Sequence, residues 1–249
     1  MLVSAEFLKL RRRRGMLVIA TLLTLGIVLL VFAVTGVQHA SNPVKYGPAG
    51  GAKNWTDGVA TLALMASVIG VIVGGTAGTQ DVESGVFRDL AATGRSRVAL
   101  FGARVAGAWA IVLPILAVTM AAMGVLCVAL AGSLAAPSAG ALAAGTIGVL
   151  VAGLVSCAMS VGVSALVGSR GPVIGTLLAF FLALSPLLAQ VGLLGGARAA
   201  IPSVAIERIE HMSVDGGVEL ALGTAIAVVL AWVAATLGLG AWKTASREI

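Results

Sequence analysis

The sequence predicts an all-α integral membrane protein with six spanning helices, and three observations predict it. The 249-residue chain is 59% hydrophobic, against about 45–50% in soluble domains, and its mean hydropathy is +1.08. Its apolar residues gather into six windows of roughly 20 residues or more, the length at which a rise of about 1.5 Å per residue crosses about 30 Å of hydrocarbon. The windows are continuous Leu, Val, Ala and Gly runs, not the alternating short segments of a membrane barrel. Only helices then satisfy the backbone in lipid.

The first window, Met16 to Val37, follows four arginines, Arg11 to Arg14. Its 22 apolar residues exceed the roughly 7–15 of a secretory signal core, and no clean A-x-A site follows, so it reads as a retained span. The second runs from Gly58 to Thr79. The third, Val105 to Ala131, contains Pro114, whose missing N–H and ring clash kink a helix; the bend fits a hinge or a static feature. The fourth, Ser138 to Gly168, carries small residues at every fourth position: Gly140, Ala144, Gly148, Ala152, Ser156, Ser160, Ser164 and Gly168. Such a row lets helix backbones approach, but it drifts about 40° per step of four, so one neighbour uses only two or three steps. The fifth runs from Pro172 to Leu194 and the sixth from Val218 to Trp242. Cys127 and Cys157 both fall within spans and read as small buried hydrophobes.

Charge sets the orientation. With a cytoplasmic N-terminus, twelve of the sixteen Lys and Arg residues fall inside and four outside, which is the bias the positive-inside rule requires. The expectation is a multi-pass protein of the cell inner or plasma membrane with both termini cytoplasmic. The pI near 10.2 then calls for membrane lipids and no nucleic acid, since the basic residues lie where an anionic cytoplasmic leaflet attracts them.

The spans lack ionisable side chains apart from Glu219 at the edge of the last. Ionisable groups inside a bilayer are costly and persist for a function, so their absence disfavours a proton-coupled carrier. His39 and His211 lie in predicted outer loops, leaving an intramembrane serine without a base. Neither H-E-x-x-H nor G-x-x-x-x-G-K-[ST] occurs, so no metal or nucleotide site and no enzymatic activity is expected in this chain.

One polar segment stands apart. In DVESGVFRDLAATGRSR, residues 81–97, six side chains are charged. Val82, Val86 and Leu90 recur every fourth residue with Phe87 beside them, which predicts a short amphipathic helix. Asp81 serves as its N-cap and Gly94 as a left-handed stop. Glu83, Arg88 and Asp89 lie off the apolar face, and their mixed signs suit a protein partner better than anionic lipid. Composition alone fits equally a solvated loop whose charges only enforce topology.

The run of Glu83, Gly85, Leu90, Arg95, Ser96, Arg97, Gly102 and Arg104 resembles the cytoplasmic loop of type-2 ABC transporter permeases, the membrane subunits of bacterial ABC exporters. Val86 departs from the family's usual threonine, Thr93-Gly94 from its proline turn, and Arg104 from its lysine. The likeness extends over nearly the whole chain. SAEFLKLRRRRG is similar to the family's interfacial elbow helix, with Val3, Phe7 and Leu10 on one face, Glu6 and Lys9 on another, and Arg11 and Arg12 at headgroup level. GSRGPVIG, residues 168–175, resembles the tight turn between spans four and five, with Pro172 in the first turn of the new helix. The stretch after Pro186, broken by Gly195-Gly196 and Pro202, resembles the short re-entrant helices of an external gate, with Glu207, Arg208, Glu210 and Asp215 on its wet rim; a solvated loop is the alternative.

The resemblance implies one transmembrane domain over 1–249, with an elbow at 1–15, a coupling loop at 80–97 and an extracellular gate region at 195–217. Asp81, Glu83, Gly85, Phe87, Arg88 and Leu90 are the expected contacts to a cytosolic ATP-binding subunit that holds ATP and Mg, and a second permease copy or a homologous permease completes a dimer. The function this implies is ATP-driven export by alternating access. A pathway of Leu, Val, Phe and Met with no fixed charge suits an amphiphilic or hydrophobic substrate. The alternative is a non-transporting sensor or scaffold that docks a cytosolic partner.

Overall fold

A computed structural model describes residues 2–86, 94, 96–210 and 220–246. Among them there is helix and no strand. A short helix α1 (Leu2–Arg11) breaks at Arg12 and Arg13 and leads into α2 (Arg14–Ser41). Then follow α3 (Ala52–Glu83), α4 (Arg97–Ala129), α5 (Ala139–Val167) and α6 (Arg170–Gln190). A 3₁₀ segment (Gly192–Ala200) and the short α7 (Pro202–Ile209) precede the last long helix, α8 (Leu222–Ser246). Six of these helices, all but α1 and α7, are long and apolar enough to cross a membrane, one for each predicted window.

Helix ends follow local chemistry. Ser96 and Ser138 cap α4 and α5, their hydroxyls accepting from the backbone N–H groups of Ala99 and Ala141, which satisfies donors that have no partner within the helix. Gly168 closes α5 with φ of +77°, a conformation that costs glycine nothing, and two residues later α6 begins with Pro172 in its first turn. A π turn at Phe180–Leu184 lies just before Pro186, where the missing proline N–H interrupts the regular ladder. Pro114, by contrast, sits in an uninterrupted α4.

The core is organised on α3 and α5, the two spans with the largest buried share. Gly70, Gly74 and Gly78 form a row on α3 that lies against Gly153, Ser156, Cys157, Ser160 and Ser164 of α5. A Cβ at Gly74 would lie 2.3 Å from the Cys157 carbonyl oxygen, so the two backbones meet with no side chain between them. At that separation the Ser160 hydroxyl donates to the Val71 carbonyl at 2.8 Å. Around this pair, α2 and α8 turn Leu29, Leu30, Leu222 and Leu230 outward. Exposed apolar surface on that scale belongs in lipid.

Candidate functional site

The chain alternates direction through its six long helices, so the 84–96 connection, the 168–169 turn and both termini share one end. At that end a buried charge cluster joins three helices. Asp81, in the last turn of α3, is 3% exposed. Its two carboxylate oxygens accept from different helices, Oδ1 from Lys9 Nζ of α1 at 2.6 Å and Oδ2 from Arg104 Nη2 of α4 at 3.1 Å. Lys9 also pairs with Glu6 at 2.8 Å. Arg104 is itself only 2% exposed. A carboxylate buried between two cations recovers in ion pairs part of what it loses in hydration.

This arrangement corrects two sequence expectations. Asp81 does not cap a new helix: α3 continues through it to Glu83, and the chain turns only at Gly85, with φ of +73°. Its side chain faces inward, held by Lys9 and Arg104. The faces of α1 differ as well. Leu10 is buried and Phe7 packs against the core, but Val3 is exposed and Glu6 is buried. Gly107 of α4 leaves the space, since a Cβ there would lie 2.6 Å from that of Glu6. Arg11 and Arg12 are exposed as expected, while Arg13 reaches back to Gln80 at 3.2 Å.

Glu83 remains exposed, and its carboxylate accepts from the backbone N–H of Arg170 at 2.7 Å. The end of α3 thereby caps α6, a link invisible in the sequence because the two residues are 87 apart. Arg97 donates to the Ala245 carbonyl at 3.1 Å, tying the start of α4 to the end of α8. Of the remaining predicted contacts, Gly85 lies at the mouth of the connection, while Phe87, Arg88 and Leu90 lie outside the described residues. Gly94 has the left-handed φ, +76°, that its reading as a stop requires.

At the opposite end α7 departs from the expected wet rim. Arg208 donates through Nε to the Leu220 carbonyl at 2.6 Å, and Glu207 is half-buried. Glu210 is 7% exposed, with Oε1 lacking any hydrogen-bond partner. Burial, aided by the nearby Glu207 charge, pushes the Glu210 carboxyl up to about 8 from its ordinary 4.5. It packs on Gly148 of α5, where a Cβ would overlap its side chain. Glu210 turns inward because α7 must bury Val204, Ala205 and Ile206, which carries its C-terminal cap against α5. Asp215 lies outside the described residues.

The described arrangement is a set of membrane-length helices tied at one end by ion pairs and caps. No curated protein matches this sequence. A family model described as ABC-2 family transporter protein matches residues 2–186, from α1 through most of α6. The chain therefore belongs to the ABC-2 transporter family, as a transmembrane permease of an ABC transporter and not its ATPase.

Proposed function

We propose that this chain is the permease subunit of an exporter, worked by cytosolic ATP-binding subunits that dock on the 84–96 connection. Family membership implies an ATP-binding partner. The observation that carries the docking site is the joining of α1, α3, α4 and α6 through Asp81 and Glu83 directly beside that connection. A displacement applied there reaches four helices at once, because buried ion pairs and caps move with the backbone that bears them. Glu83, Gly85, Phe87, Arg88 and Leu90 form the contact, and Asp81 transmits it from within. Helix α1 lies along the headgroups with Arg11 and Arg12 in that layer, and two permease copies, identical or homologous, form the pathway that opens alternately to either side. The pathway-forming helices are rich in Leu, Val and Met, which suits an amphiphilic cargo.

The test is co-purification. An affinity-tagged chain extracted in mild detergent is expected to carry an ATPase with it, and charge reversal of Glu83 together with Arg88 is expected to release that subunit while the permease keeps its elution volume. A complex that survives the double reversal removes the docking assignment. An ATPase complex that moves no cargo in sealed vesicles favours the sensor or scaffold instead.

A further inference from the structure

Between α3, α6 and α7, at the end away from the termini, lies a cavity of about 190 Å³. Leu64, Phe181 and Ile206 make its walls apolar, and Ser67, Ser203, Glu207 and Glu210 also line it. Glu210, the C-terminal cap of α7, follows Glu207 by three residues. The unpartnered, buried carboxyl is the anomaly, because a polar group desolvated without a hydrogen bond is costly.

We infer that this cavity is a binding site for a small organic ammonium ion, whose charged head meets the buried Glu210 carboxyl and whose apolar body lies against Phe181, Leu64 and Ile206. A bare metal ion is the poorer fit. Calcium takes about six to eight oxygen ligands and magnesium about six in strict geometry, whereas two carboxylates and two hydroxyls already committed to Ala63 and Ser185 are what this site offers. The size suits an organic guest: a dry cavity of about 150 Å³ holds benzene, so this one admits a ring with a short amine arm.

Protonation follows from the same geometry. The described groups on the elements around Glu210 are these: α3, which walls the cavity, carries Asp57 paired with Lys53 beyond Ala60 and Asp81 and Glu83 at its other end; α6 carries only Arg170, at its far end; α5, on which Glu210 packs, carries no acid or base besides Cys157; and α8 carries only Lys243, at its far end. On α7, Arg208 is turned to Leu220, and Arg198 of the 3₁₀ segment reaches the Gly195 and Ala189 carbonyls. Glu207 remains, and it disfavours ionisation. In the empty site Glu210 holds its proton near neutral pH. When an ammonium ion enters, that proton leaves to bulk water, the carboxylate and the ammonium pair, and the net charge of the cavity is unchanged.

The site goes beyond the transport reading and does not depend on it, since binding is measured on the purified full-length chain without an ATPase. Calorimetry with benzylammonium chloride as probe, and benzyl alcohol as its neutral counterpart, is expected to show uptake of the ammonium alone. Its affinity is expected to rise up to about tenfold per pH unit from about pH 6 toward about pH 8, then level off. Buffers of different ionisation heat should report release of up to about one proton. Glu210→Gln, neutral like the protonated native group and hence expected to keep the native melting temperature, should weaken binding at least about tenfold at pH 8. Equal binding of the alcohol, a pH-independent affinity, unchanged affinity in Glu210→Gln, or uptake of Mg²⁺ or Na⁺ in place of the amine would each overturn the assignment. If Glu210→Gln fails to fold, the pH profile and proton release of the native chain decide alone.

Discussion

Asp81 joins two partners of unequal exposure, and the difference orders their contributions. The Arg104 side chain is 3% exposed and that of Lys9 is 32% exposed, so losing Asp81 takes a carboxylate from a cation that water cannot reach at Arg104, but from one that water can partly solvate at Lys9. Breaking a buried pair from one side costs about 3–5 kcal/mol, while a part-exposed pair contributes about 1 kcal/mol or less. Asp81→Asn is therefore expected to lower the melting temperature much further than Lys9→Met, followed by tryptophan fluorescence in detergent; Arg104→Leu added to Asp81→Asn should recover part of the loss. Equal melting of Asp81→Asn and Lys9→Met would show that the pair is not desolvated. The sequence placed Asp81 and Arg104 just outside the second and third windows but could not pair them, because the carboxylate's neighbours on α1 and α4 are set by packing and not by spacing.

At the scale of elements, the contact of α3 with α5 rests on glycine. A Cβ at Gly70 would lie 2.2 Å from the Ser156 hydroxyl and 2.5 Å from the Gly153 carbonyl, one at Gly74 would lie 2.3 Å from the Cys157 carbonyl, and one at Gly78 would lie 2.3 Å from Ser164 Cβ. A hydroxyl can rotate, whereas a carbonyl or a Cβ moves only with its helix. Gly74→Leu is thus expected to force the helices apart, break the Ser160 bond to Val71, and cost more than the roughly 1–3 kcal/mol of ordinary overpacking. Gly36→Leu on α2, where nothing lies within 4 Å, should be silent. Size-exclusion profiles and melting temperatures of the two variants compare them directly. The small-residue row of the fourth window was legible, and so was its drift: Gly148 meets Glu210 of α7, while Ser156, Ser160 and Ser164 turn to α3. The matching row on α3 has the same period of four and was equally open to reading. Its partner was not, since any of five other helices could have faced it.

For the whole molecule, the alternation of six spans places the 84–96 connection and the 191–221 segment at opposite ends, and the basic bias predicts that the former faces the cytoplasm. Single cysteines introduced at Ser84 and at Leu193, which is 98% exposed, in a chain whose native Cys127 and Cys157 are buried, are expected to label from opposite faces: Leu193→Cys in intact cells, Ser84→Cys only after permeabilisation. Labelling of Ser84→Cys in intact cells would invert the topology and, with it, the docking surface. The six spans and their order were determined by the sequence, because crossing lipid requires apolar length. The tertiary structure alone decided that Asp81 turns inward to Lys9 and Arg104, that Glu83 caps α6, and that Glu210 is buried against Gly148. Each of those is a meeting of residues far apart in the chain, and periodicity along one helix specifies which face is apolar without specifying what will cover it.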